Sequence, residues 1–259
     1  MKPDISVVVP LNNEGPNVLA LAQGIMRALD NGARMIELIL VDDGSTDDTW
    51  KNILAAQNLD SRVRALRHSR NAGQSAALWT GFNASRADVI ATLDGDLQND
   101  PADLPRLLTE LRTCDMVCGV RVKRMDNWLR CTSSRVARLA RKKVLGVDFR
   151  DSGCNLRVFK ASVLPTLPRF DGMHRFLPIL AQVGGAIVTE LPIDHHPRTA
   201  GRSKYGIGNR LGRGIADLLG VRWLMKRRLL KPSATEWSSP PLSKEDARSL
   251  PEPRHSKSH

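Results

Sequence analysis

The chain is poor in aromatic residues, which make up only 4% of its 259 positions and include a single tyrosine. They are too few to interleave with the basic runs as the stacking platforms that single-stranded nucleic acid requires. Four cysteines, Cys114, Cys118, Cys131 and Cys154, show neither CxxC spacing nor a histidine at metal-ligand spacing. That argues against a zinc site and for reduced thiols in a cytosolic protein. Long hydrophobic runs are absent too. The longest, LPILAQVGGAIV over residues 177–188, falls well short of the ~20 residues of a spanning helix. MKPDISVVVP leads straight into a strand, which is not the pattern of a secretory signal. Acid is scarce: 27 Asp and Glu against 39 Lys and Arg leave a formal charge of +12. Such an excess implies a polyanionic partner, whether nucleic acid, phosphorylated small molecules or an acidic membrane surface. The excess belongs to the second half. Residues 121–150 carry ten basic and two acidic groups and residues 198–231 ten and one, whereas residues 1–120 are near balance.

What is present has a clear order. ISVVVP (5–10), IELILVDD (36–43), RVRALRH (62–68), DVIATLD (88–94) and DMVCGV (115–120) read as strands. Between them, residues 17–29, 46–57, 72–85 and 102–112 space their apolar positions or open with caps as helices do. Five strands alternating with helices predict an α/β fold with a mainly parallel, Rossmann-like sheet and helices on both faces. Ligands then bind beyond the carboxyl ends of the strands, where Pro10 to Glu14, Asp42–Asp43 and Asp94–Asp96 gather at one edge. The second half predicts a basic amphipathic helix over 130–145, strands over 155–160 and 186–196, and a helix over 174–183. A Gly- and Arg-rich loop (196–210), an amphipathic helix (211–230) and a disordered Pro/Ser tail (232–259) follow.

Several constellations carry chemistry. LDGDLQ places Asp94, Asp96 and Gln98 on one turn at a strand end, a half-shell of oxygen ligands for a hard cation such as Mg²⁺ or Mn²⁺. VDDGSTDDT offers Asp42 and Asp43 for nucleobase or ribose hydroxyls, while Asp47 and Asp48 suit helix capping. RNAGQSAAL puts Arg70, Asn71 and Gly73 at a loop–helix junction, where free N–H groups favour an anion. Asp151, Arg157, His174 and Arg175, from DSGCNLRVFK and GMHRFLP, include a lone Asp and a lone His of the kind that usually make structural hydrogen bonds. Arg198, Arg202, Ser203, Lys204 and Tyr205 lie in a loop without an apolar anchor, which suits a clamp on phosphate oxygens.

Taken in order, VVVPLNNEG, VDDGSTDDT, RNAGQSAAL, LDGDLQNDP, DSGCNLRVFK, HRFLP and HHPRTAGRSKYG resemble the family 2 glycosyltransferases of the GT-A fold. More narrowly, they resemble the polyprenyl-phosphate glycosyltransferases related to dolichyl-phosphate mannose synthase, over residues 4–228. The resemblance implies a metal-dependent, inverting transfer of a sugar from a nucleotide-diphosphate donor to a polyprenyl phosphate. It implies that Pro10, Asn12, Glu14 and Asp42 frame the nucleobase and ribose, and that Asp94, Asp96 and Gln98 hold the metal on the diphosphate. Arg121, Arg135, Asp151 and Arg175 would belong to the phosphate- and acceptor-binding set, and Arg198, Ser203 and Lys204 would close on donor and acceptor. Asn12 stands where an aromatic residue is common in the family. Residues 1–231 are then the catalytic domain: 1–120 binds nucleotide, 121–210 binds acceptor and phosphate, and 211–231 is a membrane-surface helix. The chain ends after that helix, like the soluble members, so it is expected in the cytoplasm, peripheral on the inner membrane face. An acidic bilayer or a membrane partner subunit both fit the basic helix. Two other functions stay open on sequence: a GT-A transferase with a hydroxyl acceptor, and a basic nucleic-acid-binding protein, against which the sparse aromatics speak.

Overall fold

The structure is a computed structural model, and it describes residues 2–30, 35–121, 138–139, 141–197 and 207–227. Among the described residues seven strands form one sheet: β1 (Ile5–Leu11), β2 (Ile36–Asp42), β3 (Val63–Arg67), β4 (Val89–Thr92), β5 (Met116–Arg121), β6 (Arg157–Lys160) and β7 (Val188–Ile193). Their spatial order is β3-β2-β1-β4-β6-β5-β7. All pairings are parallel except those of β6, which runs antiparallel to both β4 and β5. The helices are α1 (Val18–Leu29), α2 (Thr49–Leu59), α3 (Gln74–Ala84), α4 (Leu104–Glu110), α5 (Leu177–Val183) and α6 (Ile207–Lys226). Residues 141–145 are also helical.

Strand side chains alternate between two apolar layers, as a pleat of period two requires. Val7, Val9, Leu38 and Leu40 pack with α1, α2 and α4, whereas Val8, Ile39, Val41 and Ile90 pack with α3, α5 and Val221 of α6. Both faces are covered, which is why these strands read as continuous apolar runs. The connections reverse direction between β1, whose other neighbour is β2, and β4. That is the position where an open α/β sheet leaves a crevice for a ligand. The antiparallel β6 brings its first residue, and the segment 151–156 before it, to the same edge.

Several elements are shorter than the sequence predicts. Pro101 opens a 3-10 turn (Pro101–Asp103) before α4, and another (Met173–Arg175) precedes α5, because proline sits in the first turn of each α-helix. Most of the predicted helix 130–145, the loop 198–206 and the tail 232–259 lie outside the described residues. Among the described residues, Cys114, Cys118 and Cys154 are buried free thiols, and no helix is long and apolar enough to cross a membrane.

Candidate active site

The strand β4 delivers Asp94 to the sheet edge, where two amides hold it. Asp94 Oδ1 accepts from Gln74 Nε2 at 2.8 Å and from Asn155 Nδ2 at 2.9 Å, and Asn155 Nδ2 also reaches Oδ2 at 3.1 Å. Burial pushes the Asp94 carboxyl up to about 6, and Asp96 pushes the same way, against the Asn155 bond and the Arg157 and Arg121 charges. Asp96 Oδ1 accepts from the Gln98 backbone N–H at 3.2 Å, closing a turn. Inside that turn Leu97 adopts φ 58°, a left-handed conformation costly for a bulky side chain. Leu97 packs on the core, which helps to hold the turn in place. The other positive-φ non-glycine among the described residues is Asn13, at φ 53°, in the loop after β1. Backbone strain therefore gathers at this edge. The end of β7 closes the far side, where His196 N donates to Gln98 O at 2.9 Å and Asn99 pairs with His195.

The donor set fits a hard cation. Among the described residues no group of three or more His, Cys, Asp or Glu gathers in metal-binding geometry. Asp94 and Asp96 are close enough to repel each other, and oxygen donors of this kind, with the amide of Gln98 on the same turn, are those a hard cation takes alongside diphosphate oxygens. Two adjacent carboxylates, one with a raised pKa, also form the kind of site that a cation relieves.

On the nucleotide side, the loops after β1 and β2 are knitted together. Asn12 Nδ2 donates to Asp43 O at 2.8 Å, Asn13 N to Ser45 Oγ at 2.9 Å, and Glu14 N to Thr49 Oγ1 at 2.8 Å. Glu14 is buried and accepts from Asn17. Asp47 caps α2 through Thr49 and also accepts from Gly15 N at 3.1 Å, whereas the Asp48 side chain makes no cap bond. Asp42 is fully buried; its Oδ1 accepts from Ser45 N at 2.9 Å and Arg67 Nε lies 3.1 Å from Oδ2. Asp43 accepts from Ala72 N and Gly73 N, each at 2.8 Å, and from His68 Nδ1 at 2.8 Å. Two of the N–H groups expected to meet a ligand anion at the 70–73 junction thus already bind a carboxylate from the protein. Gly44, at φ 63°, lets this loop close: an added Cβ would stand 2.4 Å from Arg70 C and Asn71 N. Arg70 and Asn71 are exposed, and Gly73 begins α3 with φ 92°. A cleft of about 560 Å³ lined by Gly44, Ser45, Thr46, Arg67, His68 and Ser69 opens beside Asp42. Pro10 lies inside β1, in register with Val41 of β2.

Arg121, at the end of β5, makes a bidentate pair with Asp151: Nε to Oδ2 at 2.6 Å and Nη2 to Oδ1 at 2.8 Å. Burial opposes its charge, but Asp151 holds the guanidinium protonated above its ordinary value. His174 is anchored through Nδ1 to Ser75 Oγ at 2.8 Å, and Ser75 Oγ also accepts from Gly172 N. Burial, with Arg175 and Arg157 adding to it, pushes His174 down to about 3, so the ring is neutral. Arg175 is turned to α6, where Asp217 Oδ2 lies 3.4 Å from Nη1. The structure thus brings Asp94, Asp96, Gln98, Arg121 and Asp151 together, and Arg175 sits apart on the α6 side. Arg135, Arg198, Ser203 and Lys204 lie outside the described residues. Gln74, Asn155, Ser75 and His68 carry geometry that sequence reasoning did not assign. Gln74 and Asn155 sit inside motifs already quoted, but amides carry no charge signature.

A mainly parallel sheet with a strained acidic turn at its switch point is the architecture of a ligand-binding α/β protein. The model of glycosyl transferase family 2 matches residues 6–166. The dodecaprenyl-phosphate galacturonate synthase of Rhizobium johnstonii is 40% identical over 233 residues, 86% of this chain and 68% of that protein. The undecaprenyl-phosphate 4-deoxy-4-formamido-L-arabinose transferase of Edwardsiella ictaluri is 37% identical, covering 78% of this chain and 63% of that protein. Among solved structures, the glucosyl-3-phosphoglycerate synthase of Mycobacterium tuberculosis with Mn²⁺, UDP-glucose and phosphoglyceric acid superposes with a TM-score of 0.66. It is 22% identical and covers 85% of this chain and 80% of that one. The same protein with Mg²⁺ and UDP gives a TM-score of 0.64 at 22% identity, with 85% and 79% covered. The chain belongs to glycosyl transferase family 2 and has the GT-A fold. It is a nucleotide-sugar glycosyltransferase.

Proposed function

We propose that the enzyme transfers a sugar from a nucleoside-diphosphate donor to a polyprenyl phosphate, with inversion, using Mg²⁺ or Mn²⁺ at Asp94, Asp96 and Gln98. The carrying observation is how the carboxylates around the centre are committed. Asp94 is held by Gln74 and Asn155, Asp43 by the 72–73 backbone, and Asp151 by Arg121. A hydroxyl acceptor calls for a general base within hydrogen-bond reach, whereas a phosphate monoester, with a second pKa of about 6, arrives already anionic. Support also comes from the two relatives above, whose names place the sugar on dodecaprenyl or undecaprenyl phosphate. The solved neighbours that hold UDP with Mn²⁺ or Mg²⁺ support the donor and metal.

In this reading Asp42 and the cleft beside it receive the nucleoside, and Arg121 offsets the repulsion between acceptor phosphate and donor diphosphate. Arg135, Arg198, Ser203 and Lys204 are the further phosphate ligands. The ion, when bound, supplies Lewis-acid stabilisation of the departing diphosphate. His174, neutral and anchored to Ser75, orients rather than titrates. The enzyme works in the cytoplasm at the inner membrane face, held peripherally by its basic half.

The test is incubation with Mn²⁺, labelled UDP- or GDP-sugars and polyprenyl phosphate in anionic vesicles, followed by organic extraction. Label from one donor should enter the lipid phase, and Asp96→Asn should lower that transfer at least ~100-fold by weakening metal and diphosphate binding. Metal-dependent hydrolysis of one donor with no labelled lipid would keep the donor site and reject the acceptor.

A further inference from the structure

Arg157 opens β6 and is the bulkiest of the fully buried side chains, only 1% exposed. It pairs in register with Thr92 of β4 and Cys118 of β5, the strands that lead to Asp94 and Arg121. Nη1 donates to His174 O at 2.8 Å and Nη2 to Ser152 O at 2.9 Å. Among the described residues Nε has no partner, and none of the ion pairs includes this guanidinium. A cation removed from water without a hydrogen-bonded counter-ion is strongly destabilising. Simple core packing would be served better by an apolar side chain of similar volume.

Two observations indicate what the charge is for. The carbonyls it binds belong to the two segments that surround Asp94. Ser152 lies between Asp151, which pairs with Arg121, and Asn155, which holds Asp94. His174 is anchored on Ser75, the neighbour of Gln74, which holds Asp94 from the other side. The Arg157 charge also favours the ionised form of Asp94.

We propose that Arg157 is a positioning residue of the diphosphate centre, a permanent buried cation that acts through Asp94 and the two segments it ties together. The inference rests on the reading of Asp94 and Asp96 as the metal-and-diphosphate centre. Without metal, the guanidinium offsets part of the repulsion between the two carboxylates and keeps the turn formed. Once a divalent ion has neutralised the carboxylates, the same charge is left uncompensated and attracts the donor diphosphate. Removing it therefore has opposite effects on the two ligands. A more negative site binds a divalent ion more tightly, and a less positive loaded site binds diphosphate more weakly. Loss of a merely structural tie weakens both.

The experiment is calorimetric titration of the full chain, first with Mn²⁺ alone and then with UDP at saturating Mn²⁺, for wild type, Arg157→Met and Arg157→Lys. No acceptor lipid is present, so failure of the polyprenyl-phosphate reading leaves the result intact. Arg157→Met should bind Mn²⁺ about three- to tenfold more tightly and UDP about tenfold more weakly. Arg157→Lys, which keeps the charge, should return both within about threefold of wild type. If Arg157→Met does not fold, Arg157→Gln, which retains donors for a carbonyl, should show the same pair of signs. Weaker Mn²⁺ binding in the neutral variants, or a lysine variant that behaves like them, overturns the proposal. No Mn²⁺ binding by the wild type removes the metal centre on which it stands.

Discussion

At the scale of single residues, the tension sits on Asp94. Burial and Asp96 lift its pKa to about 6 from the ordinary 3.8. The folded chain therefore holds this proton more tightly than the unfolded chain. Stability accordingly falls as pH rises from about 4 to 6, and the cost is fully present above that window. A shift of about two units corresponds to at most ~3 kcal/mol. Asp94→Asn removes the charge but leaves one of the two donor contacts poorly matched, so the net gain is smaller. Without metal, the variant should be more stable than wild type by ~1 kcal/mol at pH 7.5, with the gap closing by pH 4.5. Denaturant unfolding at the two pH values measures this. Added Mn²⁺ should reverse the order at pH 7.5, because binding to the native state alone stabilises it. An unchanged gap between pH 7.5 and 4.5 would mean that burial of this carboxylate carries no such cost.

At the scale of elements, α6 divides into two faces. Val221 is fully buried, Leu218 and Met225 pack on the core, and Asp217 meets Arg175. Ile215, Leu219 and Trp223, spaced by four, are 52%, 55% and 59% exposed. At about 100° per residue they form one stripe, with exposed Arg222 and Lys226 beside it. Sequence periodicity puts Leu218 in the same stripe as Ile215 and Leu219. The structure turns it the other way, because apolar residues occur on both faces and only packing separates them. The outward combination suits a helix lying in an anionic headgroup layer. Leu219→Glu should reduce co-sedimentation with anionic vesicles at least ~10-fold, the equivalent of withdrawing one leucine from the interface. Its unfolding midpoint should not move. Leu218→Glu should do the reverse, lowering the midpoint through a charge placed against the core. Vesicle binding that survives Leu219→Glu would move the contact to another surface, such as a partner subunit.

At the scale of the molecule, the sequence discloses the first half well and the second half less well. ISVVVP and IELILVDD read as strands because both of their faces are buried, and LDGDLQ, an acidic triplet common in itself, stands out only by its place at a strand end beside two other polar clusters. The reversal of β6 between β4 and β5 cannot be read from NLRVFK, since parallel and antiparallel neighbours bury the same residues. Without that reversal nothing brings Asn155 to Asp94. Nor does the pair Asp42–Asp43 disclose that the second acid organises the 72–73 backbone while the first lies beneath the cleft. Charge is the whole-molecule property that the sequence does state, at +12, concentrated in residues 121–150 and 198–231. Each basic side chain near an anionic leaflet contributes ~1 kcal/mol, and the attraction decays over a Debye length that shrinks from about 10 Å at 0.1 M salt to about 3 Å at 1 M. Transfer to polyprenyl phosphate embedded in anionic vesicles should therefore fall at least ~10-fold between 0.05 and 0.5 M NaCl. Transfer to a short-chain, water-soluble prenyl phosphate should fall much less, since only its local phosphate contacts are screened. Comparing the two acceptors across the same salt series separates surface recruitment from chemistry at Asp94, and parallel decline of both would assign the basic half to substrate phosphates alone.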